Sequence, residues 1–136
     1  MKLLTCIAVL ALAGCSKSPE APSASLPRAD AKRAAQAVAT VTGGTVCAVA
    51  PTGSMVPTFA DNDYLVTEAV DLGSVRIGDI IVRKDGKGGA LIVHRVVKIG
   101  GGQLVTRGDA NSFDDPGTVT TDTISGRVVA IVYGAK

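Results

Sequence analysis

Apolar and polar positions change places every few residues along most of this chain, and the blocks they form have the length of strands rather than helices. Residues 46–50 read as a strand that leads into Pro51-Thr52-Gly53-Ser54. The group Ala60-Asp61-Asn62-Asp63 is a turn, in which Asn62 tolerates a left-handed backbone, and Tyr64–Glu68 is the strand that follows it. Residues 80–82 make the next strand, closed by a glycine-rich loop at 84–89. Residues 90–99 are the longest β-type run, and three glycines at 100–102 turn it back into Gln103–Arg107. A valine-rich strand over 126–133 closes the series. One stretch departs from this pattern. Residues 28–40, alanine-rich with Asp30, Lys32 and Arg33, predict a short helix whose face of methyl groups would pack weakly. Strands at this spacing with little helix predict a mostly β, barrel-like domain.

The first 27 residues follow other rules. Met1-Lys2 and the apolar run 3–14 have the charged start and short apolar centre of an export signal, too short to span a bilayer as a mature helix. Its end, Leu12-Ala13-Gly14-Cys15, resembles the lipobox of bacterial lipoproteins, in which the cysteine thiol takes the lipid. Residues 1–14 are thus expected to be a lipoprotein signal peptide, residues 15–27, rich in Ser, Pro and Ala, a flexible tether, and residues 28–136 the folded domain. This organisation implies a bacterial envelope location, held to the membrane through the lipid on Cys15 and facing the periplasm or the exterior. Cys6 would leave with the signal, and Cys47, inside an apolar run, is expected to be a buried and inert thiol.

With 136 residues and no internal repeat, one core is expected. Aromatic residues make up 3% and tryptophan is absent, so Val, Ile, Leu and Ala must build that core. The net charge of +2 comes from scattered basic residues without an aromatic platform, which argues against nucleic-acid binding. One histidine and no clustered cysteines do not make a structural zinc site, and no loop resembles a phosphate cradle, so neither metal nor cofactor is expected.

The candidate chemistry lies around Ser54. Gly53 lets the backbone come close, Pro57 fixes the turn that follows, and a hydroxyl held out in this way is suited to attack. A hydroxyl is a poor nucleophile at neutral pH and needs a base, and the chain has a single histidine, His94, in the longest strand. A carboxylate must hold the imidazole in the right tautomer, and Asp115, at the end of the acidic stretch 108–115, could fill that role. Taken singly, each feature has a plainer reading: a strand entering a turn, a histidine satisfied by a carbonyl, and a solvated acidic loop. Because His94 must be neutral to act as a base, activity is expected to fall in acid.

Together these stretches resemble the type I signal peptidases, in the branch of archaea, the endoplasmic reticulum and some Gram-positive bacteria that uses histidine where the other bacterial branch uses lysine. The serine box of that branch, Ser-Gly-Ser-Met-x-Pro-Thr, is similar to Thr52-Gly53-Ser54-Met55-Val56-Pro57-Thr58. Gly78-Asp79-Ile80-Ile81-Val82, Ile92-Val93-His94-Arg95-Val96-Val97, residues 108–115 and Gly126-Arg127-Val128 match its further boxes in order. The resemblance implies a serine endopeptidase that cuts exported precursors after small residues. It implies Ser54 as nucleophile, His94 as general base, Asp115 or Asp109 as third member, the Ser54 N–H as oxyanion donor, and Thr52, Gly53 and Met55 beside the substrate. Thr52, Asn62 and Ala110 depart from the usual Ser, Gly and Asn of the family, and the lipid on Cys15 would replace its usual transmembrane anchor. An alternative expectation is a lipid-anchored binding or scaffold module that keeps the fold without turnover. The precursor cut and the oligomeric state are left open by the sequence.

Overall fold

The computed structural model describes residues 25–86 and 89–135. The export signal, Cys6, Cys15 and most of the expected tether lie outside these residues. A helix, α1 (Arg28–Thr42), is followed by strands β1 (Thr45–Ala48), β2 (Tyr64–Glu68), β3 (Ile80–Lys84), β4 (Leu91–Gly100), β5 (Gln103–Arg107) and β6 (Ile124–Val132). The strands make one sheet in the order β1-β2-β6-β3-β4-β5, antiparallel at every pairing. The sheet is open, with β1 and β5 at its edges, and this corrects the barrel-like expectation. The chain returns through the middle: β6 enters between β2 and β3, and among the described residues no pairing joins the two edge strands.

The helix corrects a second expectation. Ala31 and Ala35 are fully excluded from solvent and Ala39 nearly so, packed with Tyr64 and Val66 and flanked by Val46 and Ala130. Methyl groups four residues apart leave room for the helix to lie close against β1, β2 and β6, so small side chains here bring backbones together. The helix ends at Gly43, whose φ of 69° suits glycine, with the Gly44 N–H returned to the Ala39 carbonyl. Before the helix, Leu26 is already part of the domain, donating to Tyr133 O at 2.9 Å and accepting from Ala135 N at 2.6 Å.

Alternation within the strands divides the core. On β2, Val66 joins the helix cluster, whereas Leu65 packs with Met55 and Phe59 on the other side. On β3, Ile80 borders that second cluster, and Ile81 joins a third with Val75, Val96, Leu104 and Val119. The His94 strand runs between the second and third clusters, with Val93 in one and Val96 in the other. Asn62 has a φ of 74°, the left-handed turn expected of it.

Candidate active site

The loop between β1 and β2 carries Ser54 and is pinned from both ends. Met55 and Phe59, 2% and 4% exposed, enter the core beside Leu65, a burial that stabilises the loop by about 1.5–3 kcal/mol per side chain. The Phe59 N–H donates to Met55 O, the Val56 N–H to Gly53 O, and the Val56-Pro57 peptide is cis. Gly53 has a φ of 70°, a conformation that a side chain at this position would strain. The segment that follows β5 holds the loop from outside, where the Ala110 N–H donates to Ser54 O at 2.9 Å. Ser54 is left half-buried with its hydroxyl toward β4.

His94 lies on β4 opposite Ile81 of β3 and is 8% exposed. Its Nε2 is 3.0 Å from Ser54 Oγ and its Nδ1 is 2.6 Å from Asp115 Oδ2. Thr106 of β5 fixes Asp115 twice: its hydroxyl donates to Oδ2 at 2.7 Å, and its carbonyl accepts from the Asp115 N–H at 2.8 Å. Serine, imidazole and carboxylate therefore stand in line, and a hydrogen on Nδ1 facing Asp115 leaves Nε2 free to accept the serine proton. Thr52 Oγ1 is 3.3 Å from Ser54 Oγ. No backbone hydrogen bond among the described residues uses the Ser54 N–H. Both groups can donate to an oxygen formed beside the serine.

Asp109, the other aspartate singled out from the sequence, is held elsewhere. It receives Arg95 Nε at 2.8 Å and Arg95 Nη2 at 2.7 Å, and the Thr58 hydroxyl donates to it as well. Burial raises its carboxyl, but the hydrogen bonds from Arg95 and Thr58 and the Arg95 charge outweigh it and hold the group below its ordinary value. Arg95 is raised in turn, first by its hydrogen bond to Asp109. On the surface, Lys98 donates to Asp114 at 2.7 Å and lowers that carboxyl, leaving Asp115 alone to face the imidazole.

A cleft of about 410 Å³ opens beside Ser54. Residues 47–50 and 91–93 border it, and Met55, Phe59 and Leu65 are at its base. Cys47 belongs to this wall and is half-buried, not the enclosed core thiol expected.

Arg83 and Gly108, like Thr106, are residues of the site that were missed from the sequence. Arg83, in β3 just past the strand expected over 80–82, is 8% exposed, and its Nη2 is 3.4 Å from Asp115 Oδ2. Gly108 was one glycine in an acidic box, yet a Cβ there would stand 2.6 Å from Ser54 O and 3.0 Å from His94 Nε2. Neither carries a local signal, since both act through contacts across the fold. Among the described residues no group of three or more His, Cys, Asp or Glu is placed to hold a metal, and no helix is long and apolar enough to cross a membrane. No protein-family model matches the chain, and no curated protein matches it either.

Proposed function

We propose that the chain is a serine endopeptidase of signal-peptidase type, built on the catalytic fold of that family and acting on exported polypeptides after small residues. The observation that carries this reading is the line Ser54 Oγ, His94 Nε2, His94 Nδ1, Asp115 Oδ2, with separations of 3.0 and 2.6 Å. Ser54 attacks the scissile carbonyl as His94 takes its proton, and Asp115 stabilises the imidazolium that forms. The Ser54 N–H and the Thr52 hydroxyl receive the oxyanion. His94 then returns the proton to the leaving amine, and water, activated by the same imidazole, releases the acyl group from Ser54.

A polypeptide suits the cleft for a second reason. β1 is an edge strand, and β5 pairs with β4 only from Arg95 onward, so among the described residues no strand lies beside residues 91–94 on that side. Both of these edges border the cleft, and an extended chain entering it would find backbone donors and acceptors on them. The lipid on Cys15 and the tether would carry the site at the envelope membrane.

The test is cleavage of a peptide library with Ala-x-Ala sites by the full chain in detergent. Cuts after small residues, lost in Ser54→Ala, are the expected result. A folded parent that cuts nothing removes the peptidase reading and leaves that of a binding module.

A further inference from the structure

Arg83 brings into the interior a charge that the proposed reaction does not use. Its strand neighbours are Ile92 and Ile124, its Nε is buried without a hydrogen-bond partner, and its one ion pair among the described residues is with Asp115 at 3.4 Å. Burying a guanidinium costs several kcal/mol that one ion pair of this length only partly offsets, so packing alone does not account for it. The carboxylate oxygen it faces is the one that accepts from His94 Nδ1 and from Thr106.

We propose that Arg83 is a positioning residue for the Ser54 site: paired with Asp115 Oδ2, it holds that carboxylate against His94 Nδ1 and sets a fixed positive charge that opposes a second one on the imidazole. The charges near His94 are Asp115 and Asp109 from the segment after β5, Arg83 from β3 and Arg95 from β4 itself. With a neutral imidazole these four cancel, and protonation leaves a buried net positive charge. Without Arg83 the imidazolium would restore neutrality instead. Removing Arg83 must therefore move the protonation of His94 to higher pH. The catalytic consequence rests on the peptidase reading, but the electrostatic one does not.

The single histidine of the chain gives one imidazole C2–H resonance, so its titration can be followed in the full chain without a substrate. Arg83→Met and Arg83→Gln are expected to raise the midpoint by about one pH unit, roughly tenfold in proton affinity, and Arg83→Lys to stay close to the parent. If the parent cuts peptide, the acid limb of kcat/KM moves upward with the midpoint. A midpoint unchanged in either neutral variant overturns the proposal, as does a lysine variant that shifts as far as they do. Loss of the fold in all three, lysine included, assigns Arg83 to packing and overturns it too. A limb that stays in place while the midpoint moves removes the catalytic consequence. A parent without turnover whose midpoint still moves removes the peptidase reading and keeps the electrostatic one.

Discussion

His94 and Arg95 are neighbours on β4, point to alternate sides of the strand, and each meets an aspartate from the stretch 108–115. The two pairs differ in what the nitrogenous partner can do. Arg95 holds its proton at any working pH and lies between Asp109, Thr58 and the Gly78 carbonyl, so its pair only ties loop to strand. An imidazole can pass a proton, and the far nitrogen of His94 reaches Ser54. The lesson is that a buried acid–base pair becomes chemistry only where its far end meets a group worth activating.

The comparison breaks first if the His94 side is not special. Ser54→Ala is expected to lower peptide cleavage by about 10⁶-fold with a melting temperature near that of the parent, as checked by single-turnover kinetics and calorimetry. Asp115→Asn should cost about 10⁴-fold in kcat, because the imidazole loses its tautomer. Asp109→Asn, by contrast, should leave activity within about tenfold and lower stability by about 1–3 kcal/mol in urea. A reversal of those two would exchange the roles of the pairs.

Gly108→Ala sharpens the contrast by moving the site without touching its chemistry. The added methyl overlaps Ser54 O and Asn111 Nδ2 and crowds His94 Nε2, and a displacement of that kind is expected to lower kcat by about 100-fold. Gly117→Ala is the control: its φ of 78° makes it strained, but it faces open space, so only stability should fall, by about 1 kcal/mol.

The smallest effect is in pH. Asp109 titrates below its ordinary value of 3.8 in the folded chain, so the unfolded chain binds more protons as pH falls toward and below that value. The contribution of the Arg95 pair is present above pH 3.8 and is lost as pH drops through the lowered folded value. Thermal unfolding of the parent and Asp109→Asn should therefore converge on acidification from pH 6 toward pH 3, and a gap that widens would contradict this.

Much of the layout was legible because it is local. Tyr64–Glu68 and Gln103–Arg107 have the bounds their composition gives, and the helix and the other strands lie within three residues of expectation. The open sheet was not legible, since the insertion of β6 between β2 and β3 depends on pairings 41 to 68 residues apart. The weak packing expected of the helix failed because side-chain size was read without the approach it permits. Ser54, His94 and two aspartates stood out in the sequence, but which aspartate faces the imidazole depends on Thr106 and Arg95, which lie on different strands.

The most direct test of the account is the reaction of the full chain with a fluorophosphonate, read by mass spectrometry of the modified peptide. The account predicts one adduct, on Ser54, lost in His94→Ala, strongly slowed in Asp115→Asn and retained in Asp109→Asn. A folded parent that takes no adduct, or an adduct on Ser54 that forms as fast without His94, would contradict it.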